Sequence, residues 1–180
     1  VPTLIYYGIQ AIHPAVFLIS SCIICAVVSV MTGSSWTTVA TIGLALLGIG
    51  RALGFEDGWT AGAIISGAYF GDKMSPLSDT TILASSVSGT PLFTHIRYMM
   101  ITTGPTIFIT LVIFSLAGIW MGNNSATDTA IYIHTLENTF NITPWLLIVP
   151  VITGVLIYKK VPSLIVLFSS TIMAVIMAAI

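Results

Sequence analysis

"YFGDKMSPLSDTT", Tyr69 to Thr81, sets two aspartates, a lysine and four hydroxyl side chains into a chain that is otherwise nearly free of charge. Of 180 residues 56% are hydrophobic and 6% charged, and the mean hydropathy is +1.04. Soluble domains carry about 25% charged residues. The composition is that of a membrane protein, a single transmembrane domain over 1–180 whose first partner is the lipid bilayer. A net charge of −1 and the lack of a basic run exclude nucleic acid as a partner.

The flanks of the acidic stretch decide how it is read. Trp59 to Tyr69 on one side and "ILASSVSGTPLF" on the other are each too short to span a bilayer. Together they make about one membrane thickness, which takes about 20 residues. Trp59 to about Val87 is therefore expected as one discontinuous helix, unwound near Gly71 and Pro76, because glycine relaxes the backbone and proline removes a donor.

Upstream, an apolar stretch from about Ala11 to Met31 ends at "TGSSWTT", Thr32 to Thr38, and "VATIGLALLGIGRALG" follows with no charged loop between. That order predicts a helix, a polar break at membrane depth and a returning helix. Irregular backbone at that depth is tolerated only where it is buried in protein or lines a watery cavity. "RALGFEDGW", with Arg51, Glu56 and Asp57, reads as a surface turn in which Arg51 snorkels. Small residues at Gly58, Gly62 and Ser66, and at Gly67 and Gly71, have the fourfold spacing that lets membrane helices approach.

Further spans are expected from about Tyr98 to Trp120, from Trp145 to Tyr158 and from Ser163 to Ile180. If the two segments between Arg97 and Lys159 both cross, Arg97, Lys159 and Lys160 share the cytoplasmic face and Asn123 to Thr143 faces outward. The fold class is thus all-α: a polytopic membrane helical bundle with a re-entrant hairpin and a discontinuous helix. The chain opens on "VPTLIYYGIQ" and stops within "MAVIMAAI", and is read as an internal piece of a larger protein with no signal peptide in view. Cys22 and Cys25 form a CxxC in an apolar helix without a nearby histidine, and are read as packing residues. His13 and His134 are read as structural or solvated, and His95 as an interface anchor.

An ionisable side chain at bilayer depth is costly, faces the bundle interior and marks an ion or substrate path. Asp72, Lys73 and Asp79 lie within the proposed broken helix; the alternative is a solvated loop between two short spans. Hard cations are held by carboxylates, hydroxyls, freed carbonyls and water, all of which an unwound acidic helix offers. A carboxylate must lose its proton to bind a cation, so proton and cation compete for it. Asp72 and Asp79, unranked, are candidates for that exchange site, with Ser75, Thr80 and Thr81 as neutral oxygen ligands, Lys73 tuning charge and Ser78 supporting. Ser34, Ser35, Thr37 and Thr38 would supply the opposite wall, with Trp36 as an apolar gate or packing element. No cofactor is called for; the transported species would be Na+ and H+.

At "SGAYFGDKMSPLSDTT" the chain resembles the NhaC-type sodium/proton antiporter family, some of whose members exchange small carboxylates. "TGSSWTT", "TIGLALLGIG" and "HIRYMMITTGP" extend the resemblance from Thr32 to Pro105, although Thr37 stands where the family pattern leads one to expect glycine. The resemblance implies a secondary transporter of the plasma membrane, not an enzyme. It also implies re-entrant hairpins and inverted repeats, with "TGSSWTT" as a hairpin tip and "FGDKMSPLSDTT" as an unwound helix. A malate- or lactate-type antiporter is the alternative within the family, and a homo-oligomer is compatible with it. The rivals from other classes are an intramembrane aspartyl protease, which needs two aspartates sharing a proton, and a non-catalytic membrane subunit.

Overall fold

A computed structural model describes residues 6–8, 12–122 and 163–178, with single or paired positions at 145, 148, 151–152, 155–156 and 159. The expected loop at 123–143 and most of the span over 145–158 lie outside the described residues, and with them the loop portion of the orientation reading. Within the described residues every regular element is helical, as the composition and the apolar runs predict.

A short 3-10 turn, Pro14–Val16, is capped by His13, whose Nδ1 accepts from the Ala15 amide at 3.3 Å. It leads into helix α1, Phe17–Thr32, which stops at Gly33 in the left-handed region with φ 70°. Ser34 is extended and caps the short helix α2, Ser35–Thr38. A π-helical turn, Val39–Gly43, joins α2 to α3, Leu44–Ala52. The two arms form a hairpin, because the Phe55 ring just beyond α3 packs on Phe17 at the start of α1, with centroids 5.3 Å apart.

The turn after α3 carries a correction. Arg51 does not snorkel: its guanidinium forks onto Asp57, with Nε and Nη2 at 2.8 and 2.7 Å from the carboxylate oxygens. Asp57 opens helix α4, Asp57–Met74, so the pair staples the hairpin to the next element.

Helix α4 lies parallel to α1 and very close to it. A Cβ on Gly67 would strike the Cys22 carbonyl, and one on Gly71 the Ala26 carbonyl. These two glycines carry the close approach, whereas a Cβ on Gly58 would meet nothing and one on Gly62 only the Phe114 ring at 3.8 Å. Both cysteine thiols are free and buried, in keeping with a packing role. Phe17, Leu18, Cys25, Leu46, Ile49 and Ile64 form the centre of the apolar core between the hairpin and α4.

After a four-residue break the chain resumes as α5, Asp79–Val87, and then as α6, Leu92–Gly122, a 31-residue helix with Pro105 inside it. Helix α6 starts earlier than the apolar run at Tyr98 suggests, because Gly89 at φ 64° ends α5 and the Pro91 carbonyl accepts the Thr94 and His95 amides. It runs back antiparallel to α1: Phe114 packs on Trp59 and Gly118 faces the Ala15 carbonyl. Pro14–Thr32 and Leu92–Met121 are each long and apolar enough to cross a membrane. Helix α7, Ser163–Ala178, is the last element described.

Candidate functional site

The two polar breaks read from the sequence meet in the fold. Helix α4 ends at Met74 and α5 begins at Asp79, so the unwound segment is Ser75–Ser78, with Ser75 and Ser78 both extended. Gly71, expected near the unwinding, lies inside α4 and acts instead through its contact with α1. Pro76 sets the break, since it has no N–H to donate and disfavours a helical Ser75. Gly33, at the hairpin tip, touches this break directly: a Cβ there would lie 2.7 Å from the Leu77 carbonyl carbon.

Ser75 fixes the break to α1. Its hydroxyl, fully buried, donates to the Val30 carbonyl at 2.7 Å and accepts the Leu77 amide at 3.1 Å. Ser29 makes a second clamp, donating to the Ala68 carbonyl at 2.6 Å. The Ser75 hydroxyl pairs backbone groups that the break and the end of α1 leave unmet, whereas the Ser29 hydroxyl adds a second bond to a carbonyl inside α4.

Asp72 sits on the last turn of α4, where the tip reaches it. The Ser35 hydroxyl donates to its Oδ2 at 2.8 Å. Its Oδ1 is buried and accepts no hydrogen bond from any donor among the described residues. An ionised oxygen in that condition is costly unless a proton or a cation meets it. Thr81, also buried, approaches the carbonyls of Asp72 and Lys73 at 3.5 and 3.3 Å. Ser35 thus meets the carboxylate of Asp72 and Thr81 its backbone carbonyl, and among the described residues no three His, Cys, Asp or Glu side chains form a cluster.

The remaining sequence candidates are placed differently. Asp79 is exposed and its Oδ1 accepts the Thr80 amide at 2.8 Å, which makes it the acidic first residue of α5, favoured there by the helix dipole. Thr80 is exposed and shares a 2.9 Å hydrogen bond with the buried Ser78. Lys73 is exposed. Ser34 accepts the Thr37 amide and hydroxyl at 3.3 and 3.1 Å, and Thr38 donates to the Ser34 carbonyl at 2.9 Å, so these three hold the tip together. Trp36 is 78% exposed within this segment.

Of the oxygen groups named from sequence, the fold therefore brings Asp72, Ser35 and Thr81 together, with Ser75 as the clamp behind them. Asp79, Thr80 and Trp36 do not belong to that cluster. Two carboxylates sharing a proton, the requirement of an aspartyl protease, are not formed by Asp72 and Asp79. Sequence reasoning missed the anchoring role of Ser29 and Val30, for which a serine one turn from a helix end was the available signal.

Comparison with known proteins points to one family of membrane antiporters. The profile of the Na+/H+ antiporter family matches residues 67–180. The chain is 48% identical over 91% of its length to a malate-2H(+)/Na(+)-lactate antiporter of Bacillus subtilis, covering 36% of that protein. It is 41% identical over 99% of its length to the Na(+)/H(+) antiporter NhaC of Alkalihalophilus pseudofirmus, covering 39% of it. The NhaC of Bacillus subtilis is 42% identical over 100% of the chain, which covers 40% of that relative. The chain thus spans about two fifths of the length of these relatives. No solved structure matches it.

Proposed function

This chain belongs to the Na+/H+ antiporter family, and we propose that it forms the segment of a secondary transporter in which Na+ and H+ compete for one carboxylate, that of Asp72. The observation that carries the reading is the buried Oδ1 of Asp72, which has no protein donor among the described residues while Oδ2 is held by Ser35. A proton on Oδ1 removes the charge; a sodium ion beside it offsets the charge. Both cannot be there, so loading one expels the other. Thr81 and the helix-end carbonyls of Asp72 and Lys73 are the neutral oxygens on hand to complete a cation shell.

In this reading the transporter crosses the plasma membrane several times. The α1–α3 hairpin is re-entrant, and the unwound Ser75–Ser78 faces it as one half of an inverted-repeat architecture. Arg97, Lys159 and Lys160 lie on the cytoplasmic side. Two polar breaks packed against each other support this, since neither is stable against lipid alone.

The test is flux in liposomes containing the full-length protein to which this segment belongs. An inward sodium gradient should drive protons outward with no organic acid present. A second reading is favoured by the 48% identity to a protein named as a malate/lactate antiporter: proton movement would then require malate on one face or lactate on the other. Exchange by sodium alone supports the first reading; strict dependence on a carboxylate supports the second.

A further inference from the structure

Asp72 is only partly buried, but its Oδ1 is covered, and an ion reaches that oxygen only when its cover moves. Something must move, and the contacts differ sharply in strength on the two sides. On the α4 side the backbones of Gly67 and Gly71 lie against the Cys22 and Ala26 carbonyls of α1, and two buried serine hydroxyls bridge the helices at 2.6 and 2.7 Å. That pair of helices is a close-packed unit, and such units do not yield gradually.

The hairpin tip is held otherwise. Its side-chain link to the acidic segment is the Ser35–Asp72 hydrogen bond, its backbone contact there is Gly33 on Leu77, and Thr32 at the end of α1 meets it in long contacts, 3.3 Å to the Thr38 hydroxyl and 3.4 Å to the Ser34 carbonyl. It is bounded at one end by Gly33 in the left-handed region, a conformation glycine takes without penalty. At the other end stands the π-helical turn Val39–Gly43. A π turn is rare inside helices and is frequently found at functional sites. Within this segment Trp36 is 78% exposed and Ala40 and Thr41 are exposed, while Ser35 and Thr38 turn inward and are buried. Internally the tip is tied by Ser34, Thr37 and Thr38, so it can move as a piece.

We infer that the hairpin tip, residues 33–38, is the gate over Asp72: it swings between Gly33 and the π turn while α1 and α4 stay fixed, and the Ser35 hydroxyl is its latch and the positioning group for the carboxylate. The inference rests on Asp72 being the exchange site. It adds which segment moves and which residue joins the moving segment to the ion.

The experiment uses the full-length protein with Cys22 and Cys25 replaced by alanine, and Trp36→Cys with Leu77→Cys placed on the exposed faces of the tip and the break. A short reducible bifunctional thiol reagent should link the pair, and sodium/proton exchange should fall in proportion to the linked fraction and return on reduction. Linked protein that still exchanges at the unlinked rate overturns the gate and leaves the Asp72 reading standing. Failure of the reagent to link the pair also overturns it, since the tip would not rest on the break. Failure of the Asp72 reading has a separate signature, exchange that survives Asp72→Asn.

The latch is tested apart from the hinge. Ser35→Ala should raise the half-saturating sodium concentration about tenfold, the effect of one hydrogen bond to a charged group. Ser35→Thr keeps the hydroxyl and should restore the affinity. An unchanged half-saturation in Ser35→Ala, or the same loss in Ser35→Thr, overturns the latch.

Discussion

Gly71→Ala and Gly62→Ala add the same methyl group to the same helix, yet they should act in opposite directions. Each gains about 1 kcal/mol because alanine is the better helix former in a helix interior. At Gly62 the new Cβ meets the Phe114 ring at 3.8 and 3.9 Å, ordinary contact that lets the gain stand. At Gly71 it strikes the Ala26 carbonyl, with the Ser29 Cβ at 2.7 Å and the Val30 amide nitrogen at 2.9 Å. Backbone cannot rotate away as a side-chain tip can, so α1 and α4 must separate, at the upper end of the 1–3 kcal/mol that overpacking costs. The net expectation is a gain of about 0.5–1 kcal/mol for Gly62→Ala and a loss of about 2 kcal/mol for Gly71→Ala. Chemical denaturation of the purified full-length protein in detergent, followed by circular dichroism, reads both. Gly71→Ala should also weaken sodium binding, because the helices are forced apart at the residue that precedes Asp72. Gly71→Ala as stable as Gly62→Ala would refute the parallel α1–α4 contact as the fixed frame of the site.

Gly33→Ala combines a left-handed backbone with a clash against the Leu77 carbonyl at 2.7 Å, so sodium/proton flux should drop sharply while the helical content seen by circular dichroism stays near wild type. At the hairpin turn, hydrogen bonding from Arg51 holds the Asp57 carboxylate below its ordinary pKa. A lowered folded value stabilises above the unfolded value of about 3.9 and is lost as pH falls through the folded one. Thermal melts should therefore show Asp57→Asn less stable than wild type at pH 7, with the difference vanishing in strong acid and shrinking in high salt, since both partners are more than half exposed. Melts that separate only in acid would contradict the pairing.

The places where the helices break were legible because their causes are local. A glycine among serines and threonines at residues 32–38, and a proline between serines at 75–78, deny the backbone its helical hydrogen bonds wherever they fall. That the two breaks would lie together followed from the cost of irregular backbone in lipid. What sequence did not supply was direction. Gly58, Gly62, Gly67 and Gly71 are all glycines on one helix, and only the position of α1 tells that the latter two carry the contact. Asp72 and Asp79 look equivalent in "GDKMSPLSDTT", yet one ends a helix beneath the tip and the other begins a helix in the open. Which carboxylate is engaged by the tip depends on the tertiary partner, Ser35, that stands 37 residues away in the chain. Arg51 escapes a local reading for a like reason, since a snorkelling arginine and a bidentate pair across a tight turn share one local pattern.

Sodium-dependent proton release separates the two aspartates most directly. The full-length protein, in weakly buffered detergent with a pH indicator, should release protons when sodium is added, and Asp79→Asn should release them as wild type does. Asp72→Asn should release none at any sodium concentration while remaining folded by circular dichroism. Proton release that persists in Asp72→Asn, or that disappears in Asp79→Asn alone, would contradict the assignment of exchange to Asp72.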